Sequence, residues 1–131
     1  MVKIQEKIIK KYPLTDRINC ELNCYYLDKR RYLIFWSETI KKESINQILE
    51  SLETKTKQSQ FTQFKTLVVV GKTTDSYKKE ELLYFNNVNT YVVFILIDED
   101  SNKIYINDSW IFSLGLNYKK HVRKIYKILS Q

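Results

Sequence analysis

The stretch Thr66-Leu67-Val68-Val69-Val70-Gly71-Lys72-Thr73 places a glycine, a lysine and a hydroxyl after an apolar run, and those are residue types that can hold a nucleotide phosphate. A loop of the Gly-x-x-x-x-Gly-Lys-Ser/Thr type must curl between its two glycines, so that successive backbone N–H groups point at the phosphates. Here Thr66 stands at the first glycine position. Three of the four residues before Gly71 are valines, whose stiff branched side chains favour an extended strand. The only other glycine is Gly115, so none can substitute. Gly71 is therefore expected to be the turn that ends a strand, with no cradle for a nucleotide at Lys72.

A second stretch, Asp98-Glu99-Asp100-Ser101-Asn102-Lys103, matches a calcium-binding loop at Asp98, Asp100 and Asn102. It then puts Lys103 where the sharp turn needs glycine, and Ser109 where a bidentate glutamate belongs. A solvated hairpin turn is the expectation. Cys20 and Cys24 are the only cysteines. On one strand over residues 20 to 27 they would lie roughly 13 Å apart on the same face, too far for a disulfide. Zinc needs about four ligands, and the one further soft ligand is His121. Free thiols and no resident metal or cofactor are expected. His121 lies among lysines with no acid near it in sequence, and reads as a surface residue.

The net charge of +7 is unevenly placed. Residues 1 to 12 carry +3, residues 116 to 131 carry +5 without a single acid, and the remainder sums to −1. The chain has no alanine but 18 lysines and 15 isoleucines, the mark of an AT-rich coding sequence. Such a bias would spread lysine evenly and would not clear acids from one helix. Lys119, Lys120, Arg123, Lys124 and Lys127 recur at helical intervals opposite an apolar stripe of Tyr118, Val122, Ile125 and Leu129. A face of this kind can track phosphates.

These groups need elements to hold them. Residues 2 to 12 read as a helix stopped by Pro13, residues 18 to 37 as an antiparallel hairpin, and residues 43 to 57 as an amphipathic helix with Ile45, Ile48, Leu49 and Leu52 inward. A strand at 66 to 70, a helix at 77 to 86, a strand at 90 to 98, an edge strand at 103 to 107, a turn SWIFSL ending near Gly115 and a helix at 116 to 129 follow. Strands 31 to 37, 66 to 70 and 90 to 98 are near-continuous apolar runs, as in a sheet covered on both faces. The expected fold is one α/β domain over residues 1 to 131, with a mixed, largely parallel sheet, helices on both faces, an N-terminal hairpin, a C-terminal edge strand and a basic last helix.

Parallel strands would gather Glu38, Lys72 with Thr73 and Thr74, and Asp98 with Asp100 at their carboxyl ends. Two carboxylates and a lysine are the groups of a metal-dependent nuclease. The element order resembles the restriction-endonuclease core, which carries Glu-x-Lys within one strand. The corresponding strand here is Tyr32-Leu33-Ile34-Phe35-Trp36-Ser37-Glu38, without the lysine. The leading expectation is non-enzymatic binding of the nucleic-acid backbone by Lys119, Lys120, Arg123, Lys124 and Lys127, helped by Lys7 and Lys10. The alternative is a small inhibitor or immunity-type protein that sets the same face on an acidic partner protein. A nuclease using Glu38, Lys72 and Asp98 ranks third. The longest uncharged apolar run is too short to span a bilayer, and lysines interrupt the N-terminus, so a cytoplasmic protein is expected without a membrane partner.

Overall fold

The runs Leu67–Val70 and Val92–Leu96 are solvent-free strands in the middle of one mixed sheet. A computed structural model describes residues 1–12, 16–57, 60–87, 89–107 and 118–131. Along the chain run helix α1 (Val2–Lys11), strands β1 (Asp16–Asn19), β2 (Asn23–Asp28) and β3 (Arg31–Phe35), a 3-10 turn at Lys42–Ser44, and helix α2 (Ile45–Lys55). Strand β4 (Lys65–Lys72), a 3-10 turn at Lys79–Leu82, strands β5 (Leu83–Asn87), β6 (Thr90–Asp98) and β7 (Lys103–Tyr105), and helix α3 (Lys119–Leu129) follow. The SWIFSL turn, Gly115, Ser109, Pro13 and the expected helical residues 116 and 117 lie outside the described residues.

Strand order is β1-β2-β3-β4-β6-β5, and β7 also pairs with β6. The pairs β3–β4 and β4–β6 are parallel, with Leu33 opposite Val68 and Val68 opposite Val93. The other four pairings are antiparallel, so the sheet is mixed and mostly antiparallel, which corrects the expectation of a largely parallel one. Side chains alternate across a strand, and two buried clusters result. One joins Ile45, Ile48, Leu49 and Leu52 of α2 to Ile34, Val69 and Phe94. The other joins Ile8 of α1 and Val122, Ile125 and Ile128 of α3 to Leu33, Val68 and Val93.

Three local expectations change. Residues 77 to 86, read as a helix, make a single 3-10 turn and then β5, antiparallel to β6 with Leu83 opposite Val93. Leu83 joins one buried cluster and Tyr84 the other, a two-residue alternation that a helix would not give. Residues 20 to 27, read as one strand, reverse at Cys20–Leu22, so that Ile18 faces Cys24 across a β1–β2 hairpin. The separation of 13 Å along a strand therefore does not apply. Cys24 is buried beside Cys20; burial first, and then the neighbouring thiol, push its pKa up, and both cysteines are free.

Gly71 is not the turn that ends a strand either. It lies inside β4, opposite Leu96 of β6. The segment after β3 runs beside the end of β4, with Ile40 bridged in parallel to Thr73: Ile40 donates its N–H to the Lys72 carbonyl at 2.7 Å, and the Thr73 hydroxyl donates to the Ile40 carbonyl at 2.8 Å. A Cβ at position 71 would overlap Ile40 Cδ1 and lie 3.2 Å from Ile40 Cγ1. Glycine is needed there for closeness, since Ile40 is fully buried and has little room to retreat. Gly71→Ala should destabilise the fold by about 1–3 kcal/mol in urea unfolding, through overpacking. Ile40→Val removes the overlapping methyl and should recover part of that loss in the double variant; additive losses would show that Ile40 is not the constraint.

Candidate nucleic-acid interface

Helix α3 reads Lys-Lys-His-Val-Arg-Lys-Ile-Tyr-Lys-Ile-Leu, and its core stripe is Tyr118, His121, Val122, Ile125 and Ile128. Ile128 takes the deep position expected for Leu129, which is only half-buried. Lys120, Arg123, Lys124, Tyr126 and Lys127 are exposed and Lys119 is half-buried. Among the described residues, no carboxylate forms an ion pair with Lys120, Arg123, Lys124 or Lys127.

What fixes this helix is the residue read as a surface histidine. His121 is 5 % exposed, and its Nε2 lies 2.6 Å from Oδ2 of Asp28, at the β2–β3 turn. Nδ1 bonds the Tyr12 hydroxyl, at the end of α1. Arg31 Nη1 holds the other Asp28 oxygen at 2.6 Å. The orienting acid comes from 93 residues earlier in the chain, beyond the reach of local sequence. A carboxylate only accepts, so Nε2 carries the imidazole proton and Nδ1 accepts from the tyrosine.

The charges agree with that tautomer. Burial lowers the His121 pKa from its ordinary 6.5; nearby Asp28 opposes this without reversing it. Burial works against the Asp28 carboxylate, but hydrogen bonds from His121 and Arg31 outweigh it and hold its pKa below 3.8. Tyr12 is pushed up to about 12, by burial and then by the Asp28 charge. A hydroxyl this reluctant to ionise, on a buried side chain, is a poor nucleophile. The acid–histidine–tyrosine row therefore works as a lock between α1, α3 and the β2–β3 turn.

Helix α1 lies against α3 through more than the core. Lys7 Nζ donates to the Gln131 carbonyl at 2.7 Å and Lys11 Nζ to Gln131 Oε1 at 2.6 Å, while Lys124 Nζ sits 4.6 Å from the centre of the Tyr12 ring. Lys10 is exposed on the same helix. Beside α3 opens a cleft of about 1040 Å³. Lys120, Arg123, Lys124 and Lys127 line it together with Leu82, Ile104, Tyr105 and Tyr126. The sequence reading missed this aromatic and apolar wall. Tyr126 was in reach, three residues after Arg123, but Leu82 and Tyr105 arrive from other elements.

The sheet-edge groups stand otherwise. Lys72 and Ile97 are register partners at neighbouring strand ends, but Lys72 Nζ pairs with Glu99 at 2.8 Å. Asp98 Oδ1 accepts the N–H groups of Asp100 at 3.1 Å and Ser101 at 3.3 Å, shaping the β6–β7 turn, where Asn102 takes a φ of 61°. Glu38 is exposed in a separate groove with Trp36, Lys41 and Gln47. Among the described residues, no three His, Cys, Asp or Glu side chains gather to hold a metal ion, and no helix is long and apolar enough to cross a membrane. No family model, curated protein or solved structure matches the chain.

The lock gives a signed pH dependence. A histidine whose folded pKa lies below its unfolded value stabilises the fold above pH 6.5 and loses that contribution as the pH falls through 6.5; Asp28, also lowered, acts in the same sense at lower pH. The melting temperature should therefore fall between about pH 8 and about pH 5. NMR should place the His121 pKa below 6.5. His121→Gln should melt lower at the alkaline end and show a flatter decline. Titration of His121 above 6.5 would mean that the carboxylate prevails over burial, and the sign would reverse.

Proposed function

We propose that the protein binds the phosphate backbone of nucleic acid, without catalysis, through Lys120, Arg123, Lys124 and Lys127 of α3, with Lys119, Lys7 and Lys10 at the margins. The observation that carries this reading is the acid-free cationic face of α3, buried on one side and held in place by His121 and Asp28. A locked helix presents its charges in fixed positions, and each phosphate neutralised releases counterions to bulk solution. Lys7 and Lys11 reach the end of α3, so the cations of α1 extend the same positive region. A cytoplasmic location belongs to this reading. The Glu38, Lys72 and Asp98 group supports a nuclease less well, because Lys72 has taken Glu99 and Asp98 is committed to its turn.

The test is charge reversal on α3 that spares Lys124, whose ammonium also covers Tyr12. The triple variant Lys120→Glu, Arg123→Glu, Lys127→Glu should keep the circular dichroism spectrum and melt within a few degrees of wild type, since these side chains point away from the core. Affinity for nucleic acid should fall for every sequence alike, and the slope of log affinity against log salt should shrink by roughly 0.7–0.9 for each phosphate that is no longer neutralised. Absence of salt-dependent binding by the wild type at low ionic strength would overturn the reading. Capture of one acidic protein by the wild type and not by the variant would put an inhibitor in its place.

A further inference from the structure

We propose that the cleft beside α3 receives the unpaired bases of a single strand of DNA or RNA, while the phosphates of that strand follow the cations of α3. This rests on the phosphate-binding reading of α3 and adds the form of nucleic acid that the site selects. A plain polyanion surface needs only the cations. The cleft joins two unlike walls instead. Lys120, Arg123, Lys124 and Lys127 form one, and Leu82, Ile104 and Tyr105 contribute to the other. Tyr126 lies on the basic helix itself, 39 % exposed and lining the same space.

Those walls fit the two chemistries of one strand. Lys120 and Lys127 are seven residues apart on one helix, about 10 Å along its axis, so the cationic wall is a row and not a point. A phosphodiester backbone is likewise a row of charges, with bases along one side. In a duplex those bases are stacked and paired inside, and an aromatic wall set beside the phosphates would find nothing to stack on. In a single strand they are free to splay, and every base offers a π face to a tyrosine whatever its identity. The ring of Tyr105 is itself propped edge-on against Tyr77, with centroids 5.9 Å apart at 66°, so its position is set before any ligand arrives. The space, about 1040 Å³, stands at the top of the roughly 300–1,000 Å³ that encloses one small ligand, which leaves room for more than one nucleotide. An acidic peptide would satisfy the cations but would leave the aromatic wall to whatever side chains it happened to carry.

The experiment compares fluorescence anisotropy of wild-type protein with four probes of equal length: oligo-dT, oligo-rU, an abasic strand that keeps the phosphates, and a duplex. Oligo-dT or oligo-rU should bind about tenfold more tightly than the abasic strand, the size expected when one or more bases stack. Preference between dT and rU tells DNA from RNA. Tyr126→Ala, on the exposed face, should bring the affinity for the preferred strand down to that for the abasic one and leave the salt slope unchanged. Tyr105→Leu should do the same, with melting checked because Tyr105 also packs on Tyr77. If the abasic strand binds as tightly as oligo-dT and oligo-rU with a steep salt slope, or if the duplex binds more tightly than either, the cleft proposal is overturned while phosphate binding by α3 stands. If none of the four probes binds at low salt, both readings fall together.

Discussion

Residues Val92 to Leu96 have no exposure to water, and that burial governs how the rest of the chain is arranged. Backbone N–H and C=O groups cut off from solvent must be paired within the protein, so both edges of β6 need neighbours. β4 takes one edge along its length, from Thr90 to Ile97. The other edge is divided. β5 covers Thr90 to Val93 and β7 covers Leu96 to Asp98, both antiparallel. The pairing passes from one strand to the other opposite Phe94 and Ile95. Leu82, just before β5, and Tyr105, at the end of β7, flank that break and line the cleft beside α3.

The same demand explains which parts of the fold were legible. The apolar runs of β3, β4 and β6 are long enough and uniform enough to announce buried strands, and their parallel order follows once α2 connects the first two. The segment Tyr77 to Asn86 carries acids, lysines and leucines that suit a helix in isolation. Its fate was decided by the unpaired edge of β6, a partner whose needs are invisible from within the segment. Likewise, the alternation of Cys20, Leu22, Cys24 and Tyr26 was real, and all four pack into one cluster, but the reversal after Asn19 left no mark in that pattern. Gly71 was misread for a related reason: the side chain that excludes a Cβ there, Ile40, comes from the segment after β3.

At the site, the basic stripe of α3 could be read directly, because the helical period and the missing acids are both local properties. Its anchor could not. His121 looked superficial among lysines, yet it occupies the stripe position between Tyr118 and Val122, and a polar residue on a buried face needs a partner. That partner, Asp28, belongs to a hairpin turn at the other end of the sequence. A period of 3.6 puts position 121 beside Tyr118, Val122 and Ile125 on the core side, whereas its sequence neighbours, lysines with no acid among them, point to the surface.

The electrostatics of α3 tie the anchor to the face it carries. The helix begins with Lys119 and Lys120 and has no acid in its first turn, so two cations stand at the positive end of its dipole, each costing about 0.3–1 kcal/mol. The Tyr118 side chain, at the N-cap, bonds none of its first N–H groups. A helix with such a start, eleven residues long, would be marginal alone in water. Asp28 bonds the His121 ring in that same first turn, and Arg31 holds the carboxylate in place. The helix start is thus tied to the β2–β3 turn through a side chain on the core side of α3. The outward side is left wholly positive, which an acid within the helix itself would have prevented.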